Sequence, residues 1–563
     1  MIKNPIFKGF NPDPCICRKG DDYYCAVSSF EWMPGIPVYH SKDLVHWELL
    51  THVITNQVDL RRLPSAKGIW APCLTYNEAE DCFYVVYGVM QSMNSRYFDV
   101  DNYLISAKDI CGPWSEPVYL HSDGFDASLL SDDDGKKYIV SLEWEFREGY
   151  EKPGVIAVCE YDPEKKQIVG YPQRIWKGST NRGCIEAPHL TKRNGYYYLM
   201  CAEGGTGYNH CVTLARAKNP FGPYEADPEG YVVSSVINES NERADPDHFK
   251  PKYFNPDSVL QKSGHGSYVD LPNGETYLVH LTSRPFVPEL RCTLGRETAI
   301  QKVKWTEDGW LRMADGGKLA QLEVEEPNLP SCPMPEIPSF DDFDSDTLGN
   351  FYYAPRIMPE TFASVTARKG YVRLRGQESR TSLHNVSILA RKLTSVYATV
   401  TTSLDFHPEI YHHSAGLIIY YDNQNYVNLR KYYSETLGSS ALSIIQLENG
   451  TKTEMLDTRV AVDDSKEIIM RLVIDGRKLH FEWGYKVTDG SGDQEQGKVD
   501  SKSLQRIGPD FETSKYSDEY CKFGEFTGAF VGITCADHLL HKHCADFDFF
   551  DYDADEDREV PRV

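Results

Sequence analysis

Five short apolar runs punctuate the first half of the chain: YCAV at 24–27, YVVY at 84–87, YIVSL at 138–142, YYLM at 197–200 and YLVHL at 277–281. Each is rich in β-branched and aromatic residues and stops at polar or glycine-bearing positions, which is the pattern of short strands. A polar turn precedes every run: Lys19-Gly20, the segment from Glu78 to Asp81, Asp134-Gly135, Asn194-Gly195 and Asn273-Gly274. Three of the five carry the Asp-Gly or Asn-Gly pair of a tight hairpin. An aromatic follows each turn at the start of the strand: Tyr24, Tyr84, Tyr138, Tyr198 and Tyr277.

Ahead of the turns lies a second shared feature. DPCIC from Asp13, WAPCL from Trp70, DASLL from Asp126, EAPHL from Glu186 and HGSYV from His265 align in one frame. A large functional residue comes first, then Pro, Ala or Gly, then a small residue or Pro, with an apolar residue or Cys fifth. The frame positions are 57, 56, 60 and 79 residues apart, room for a hairpin and about two further strands. Five four-stranded units predict an all-β, five-bladed β-propeller over residues 1–325. The first strand of each blade lines the axis of such a fold. Asp13, Trp70, Asp126, Glu186 and His265 are therefore expected around one pocket.

The pattern breaks at PNLPSCPMPEIPSF, where five prolines between Pro327 and Pro338 predict an extended linker at 326–339. Beyond it, alternating runs such as YVRLRG, ATVTTSLDF, AGLIIYY, EIIMRLVID and GAFVGITC predict a β-sandwich over 340–563. Two domains suit a chain of 563 residues, more than one core usually serves.

Composition sets limits on partners. A net charge of −24 disfavours nucleic acid and anionic membranes. No stretch approaches the ~18 apolar residues of a membrane span, and the N-terminal MIKNPIFKGFNPDP lacks the apolar core of a signal peptide. The 15 cysteines follow no framework spacing. Together these features predict a cytoplasmic protein with reduced thiols. They leave self-association to a homo-oligomer open.

Three carboxylates in one pocket have a specific chemical use. Two can cleave a glycosidic bond when one activates water or attacks and the other protonates the leaving oxygen. A third beside the acid raises its pKa by like-charge repulsion. No Ser-His-Asp order or phosphate-binding glycine loop competes with this reading. Asp132 to Asp134 belong to a hairpin turn, whereas Asp126 precedes its strand. Structural roles compete at the other positions: a turn ahead of a strand for Asp13, a buried ion pair for Glu186, blade packing for Trp70, a satisfied core histidine for His265, and an ion pair with Glu297 or a blade carboxylate for Arg296. DHLLHKHC at 537–544 has metal-like density but no metal-site spacing. DFDSDTLGN at 342–350 lacks the closing glutamate of a calcium loop.

The motifs NPDP at 11–14, GIWAP at 68–72, GFDASL at 124–129, EAPHL at 186–190, AEGGT at 202–206 and LGRETAIQ at 294–301 resemble glycoside hydrolase family 43, in its β-xylosidase and α-L-arabinofuranosidase branch. The resemblance continues into the second domain at FDDFD (340–344) and FTGAFVG (526–532), where it implies a concanavalin-like jelly roll. It implies an inverting, exo-acting enzyme that releases xylose from the non-reducing end of β-1,4-xylooligosaccharides. Asp13 would be the general base, Glu186 the general acid, and Asp126 the residue that tunes and orients the acid. Arg296 would bind sugar hydroxyls. Trp70 and Phe30 would form apolar walls, Phe526 would reach in from the sandwich, and His265 would sit on the channel axis. No organic cofactor is implied; some members of the family place a divalent cation, usually calcium, beside this histidine.

Two alternatives stay open on the sequence: α-L-arabinofuranosidase activity on arabinose-containing glycans, alone or with xylosidase activity, and a non-catalytic glycan-binding protein. The WMNDPNG-type motif of fructan-cleaving propellers is absent. Residues 87–103 and 143–155 and the segment before Arg296 depart from the better-known xylosidases. They border the expected pocket and bear on which sugar it prefers.

Overall fold

A computed structural model of the protein describes residues 1–150, 154–237, 249–486, 503–522 and 526–562. The first half is a ring of five antiparallel sheets, each built from one contiguous stretch of chain. The first blade runs Cys15–Lys19, Asp22–Ala26, Gly35–Ser41, Glu48–Ile54, and the second Gly68–Asn77, Cys82–Asn94, Tyr97–Ala107, Val118–His121. The third runs Ser128–Ser131, Lys137–Trp144, Gly154–Asp162, Gln167–Trp176. The fourth runs Glu186–Arg193, Tyr196–Glu203, Cys211–Ala217, Glu225–Ala226, with Val233–Ser234 also on its third strand. The fifth runs Gln261–Asp270, Thr276–Ser283, Glu297–Trp305, Leu311–Met313.

The turn chemistry explains the hairpins. Gly20, Asp81, Gly135, Asn194 with Gly195, and Gly274 all take positive φ, and Arg193 pairs directly with Tyr196 across the two-residue Asn-Gly loop. Such a turn twists with the strands it joins. The aromatic that follows each turn lies on the second strand of its blade, where Tyr24, Tyr138, Tyr198 and Tyr277 are buried.

No blade is shared between the chain's beginning and end, so other contacts close the ring. Ile2–Lys3 pairs with Glu323–Val324. Asn4 then donates its side-chain amide to the Ile300 and Gln321 carbonyls and accepts the Ile300 N–H. The proline-rich segment 326–339 forms no strand but lies against the propeller, with the Cys332 N–H donated to Asp43 and the Asn328 N–H to Glu275.

The second domain stacks two antiparallel sheets of eight and seven strands around one apolar core. Short 3-10 turns are the only helical segments among the described residues. No helix there is long and apolar enough to cross a membrane. The two domains share packing. Trp32 stacks on Phe530 with ring centroids 3.6 Å apart, Ala354–Pro355 pairs with Trp32–Met33, and buried Lys262 of the fifth blade forms an ion pair with Glu519. The sandwich thus sits where its loops can complete a site on the propeller.

Candidate active site

The innermost strands enter the ring through a backbone conformation that L-residues rarely adopt. Asp13, Ala71, Asp126, Ala187 and His265 have φ of 57°, 39°, 56°, 51° and 48°, each costing of order 1–3 kcal/mol. The fifth blade's strand has a second such residue at Lys262, but these five share one register and mark the true repeat, so the sequence frame slips by one in two blades. Ala71 and Ala187, not Trp70 and Glu186, are the counterparts of Asp13, Asp126 and His265. The ladder breaks register between Trp70 and Cys73, between Glu186 and His189, and between Gly264 and Gly266. A bulge at such a point re-aims a side chain without adding a detectable insertion.

Asp13 is buried and held from three sides. Arg296 Nη1 lies 3.1 Å from its Oδ1, the Ser28 hydroxyl donates to Oδ2 at 2.6 Å, and His265 Nδ1 is 3.5 Å from Oδ1. Burial alone would raise the Asp13 pKa. Arg296 first, then His265 and Ser28, outweigh it and hold the carboxyl below the ordinary aspartate value. His265 is itself driven down to about 4, chiefly by burial, so near neutrality Arg296 is the cation that keeps Asp13 ionised. Ser28 also accepts the N–H of Ala71 at 2.7 Å, which ties the first blade to the second.

Asp126 and Glu186 form the opposite environment. Both are pushed upward, by burial first and then by neighbouring carboxylates: Glu186 and Asp13 beside Asp126, and Asp13 beside Glu186. Glu186 rises to about 7. Asp126 Oδ2 accepts the N–H of Ala187 at 3.0 Å, fixing the backbone that carries Glu186. His210 faces Glu186, with Nε2 3.9 Å from Oε1. Neither atom has a hydrogen-bond partner among the described residues. His210 Nδ1 lies 3.0 Å from the Lys262 carbonyl, to which it can only donate, and burial holds the ring neutral, with a pKa of about 3. Nε2 therefore turns a lone pair toward the carboxyl, at a distance beyond hydrogen-bond range. Gly264 makes room for this ring: a Cβ there would lie 2.3 Å from His210 Cγ.

The apolar wall is a cluster around Trp70. Its ring lies 5.4 Å from Phe30, 5.9 Å from Phe125 and 6.2 Å from Phe526, and its Nε1–H donates to the Ala66 carbonyl. Gly68 lets the strand approach Phe30, because a Cβ would meet the Phe30 carbonyl oxygen at 2.3 Å. The Phe526 carbonyl, from the sandwich, accepts from Arg296 Nη2 at 2.8 Å and Nε at 3.2 Å. Glu297 does not hold Arg296; it pairs with Arg284 through two contacts of 2.7 Å. One buried guanidinium thus joins the first blade, the fifth blade and the second domain.

This constellation of one ionised carboxylate, two elevated ones and an aromatic wall sits on a chain whose residues 2–311 match the family model described as Glycosyl hydrolases family 43. The chain belongs to glycosyl hydrolase family 43. Residues 340–553 match the Beta xylosidase C-terminal Concanavalin A-like domain. The chain is 37% identical to a Beta-xylosidase of Bacillus subtilis (strain 168), over 98% of this chain and 99% of that protein. It is also 37% identical to Xylosidase/arabinosidase 43B of Humicola insolens, over 98% and 97%. The solved structure of xylan beta-1,4-xylosidase from Bacillus halodurans C-125 is 41% identical, covers 98% of this chain and 100% of its own, and superposes with a TM-score of 0.89.

Within this family 43 glycoside hydrolase, the eight residues singled out from sequence fall into one connected group. Ser28 and His210 were not singled out; the one sits in SSFEW and the other in GYNHCV, with no motif to mark either. Glu203 of AEGGT stands apart: its carboxylate accepts the N–H groups of Ser179 and Thr180 and anchors a loop. Asp537 of DHLLHKHC likewise gathers four backbone N–H groups of its own loop, from Leu539 to His543. Calcium beside His265 would need six to eight oxygen donors. Among the described residues, the side chains there include one imidazole and an Asp13 carboxylate already engaged by Arg296 and Ser28, so most oxygens of a calcium site would come from water or backbone carbonyls.

Proposed function

We propose that this enzyme removes xylose from the non-reducing end of β-1,4-xylooligosaccharides with inversion of the anomeric carbon. The opposed electrostatic environments of the two buried carboxyls carry the division of labour between acid and base, and the xylosidase relatives support the choice of sugar. Asp13 is held ionised by Arg296, while Glu186 is held protonated by burial and by Asp13. Asp13 takes a proton from water as its oxygen attacks the anomeric carbon. Glu186 delivers its proton to the departing glycosidic oxygen as that bond breaks. Asp126 orients Glu186 through Ala187. Arg296 keeps Asp13 charged and presents its edge to sugar hydroxyls, and Trp70, Phe30 and Phe526 bound a pocket for one terminal sugar.

A second reading has specific support. The Humicola relative is named for both xylosidase and arabinosidase action, and the two pentoses present similar hydroxyl and ring surfaces, so α-L-arabinofuranosidase activity is proposed as a side reaction. The test is kcat/KM on xylobiose, p-nitrophenyl β-D-xyloside and p-nitrophenyl α-L-arabinofuranoside. The expected order puts both xylosides above the arabinofuranoside. Faster turnover of the arabinofuranoside, with xylobiose untouched, overturns the xylosidase assignment.

A further inference from the structure

Two residues beyond each left-handed position, the innermost strands carry a second set of side chains, one per blade: Cys15, Cys73, Ser128, His189 and Ser267. Three of them converge. The Sγ atoms of Cys15 and Cys73 and a ring nitrogen of His189 all lie within 4.8 Å of one another. The Ser267 hydroxyl lies 3.8 Å from Cys15 Sγ. Residues from the first, second, fourth and fifth blades can meet in this way only at the axis. Both thiols are buried, while His189 is part-exposed. The hydrolytic chemistry uses none of them.

We propose that Cys15, Cys73 and His189 form a binding site for a thiophilic divalent metal, of which zinc is the type, on the propeller axis below the catalytic carboxylates. Two thiolates and an imidazole are the donors zinc selects, and calcium does not bind sulfur. The dimensions agree: tetrahedral zinc with bonds of about 2.3 Å to sulfur sets its sulfurs about 3.8 Å apart. The present spread therefore closes with an inward shift of about 1 Å or less. Three protein ligands leave a fourth position, which water or the Ser267 hydroxyl can fill. Binding exchanges the two thiol protons for the metal, so both protons leave to solvent and no redox step is involved. The part-exposed imidazole supplies the route of entry. Occupied, the site would link the first, second and fourth blades.

The test uses the full-length enzyme, stripped with chelator and dialysed against zinc. The expected result is about one equivalent of zinc per chain, a raised Tm, and, with cobalt in its place, a thiolate-to-cobalt charge-transfer band. Calcium produces neither. The Cys15→Ser/Cys73→Ser variant loses both the stoichiometric metal and the Tm rise. If that variant fails to fold, His189→Asn is expected to weaken binding and shift the cobalt spectrum on its own. Zinc retained at full stoichiometry in these variants overturns the site. So does a wild-type protein that binds no zinc with both thiols reduced, or one isolated with a Cys15–Cys73 disulfide.

Discussion

Glu186→Gln lowers kcat/KM on xylobiose by about three orders of magnitude, the loss expected when a positioned general acid is removed. The loss depends on the leaving group. A sugar alkoxide cannot depart without a proton, whereas an aryl xyloside with an acidic phenol can, so the activated substrate loses far less. The pH profile changes in the same experiment. In the wild type, kcat/KM falls as pH rises through about 7, where Glu186 gives up its proton; in the variant that alkaline limb disappears. Equal losses on both substrates with an unchanged limb would take the acid role from Glu186.

Asp13→Asn gives a loss of similar size, about two to four orders of magnitude, with a different signature. Activation of water is needed whatever leaves, so xylobiose and the activated aryl xyloside lose activity in parallel. The acidic limb of the profile, set by an Asp13 carboxyl held below its ordinary value by Arg296, is lost. Near-wild-type turnover of either substrate by this variant would exclude Asp13 as the base. The two variants together separate the roles, since one effect follows the leaving group and the other does not.

Much of this was legible in the chain. Turn dipeptides such as Asn194-Gly195 and the aromatics that follow them are local, so the repeat and its blades could be read from spacing alone. Glu186 stood out because a carboxylate in an apolar frame has few innocent uses, Asp126 because it precedes its strand rather than lying in the turn, and Asp13 because the repeat frame set it in register with them. The one-residue slip at Trp70 and Glu186 was hidden. A bulge changes φ at Ala71 and Ala187 without changing composition, and only a backbone reveals it. His210 was hidden for another reason: it reaches Glu186 from the far side of the blade's hairpin, and the glycine that admits it, Gly264, lies on a different blade. The grip of the Phe526 carbonyl on Arg296 spans 230 residues, a long-range contact that no local pattern encodes. The meeting of Cys15, Cys73 and His189 was likewise lost among 15 scattered cysteines, because axial neighbours sit a whole blade or more apart in sequence.

The central claim is that water attacks the anomeric carbon directly, with Asp13 as base and Glu186 as acid. Proton NMR of the first sugar released from a β-xyloside, recorded before mutarotation, tests it most directly. Inversion predicts that α-xylose forms first and the β-anomer grows in later. If β-xylose forms first, the reaction passes through a covalent intermediate, Asp13 is a nucleophile, and the division of labour between a base at Asp13 and an acid at Glu186 is wrong.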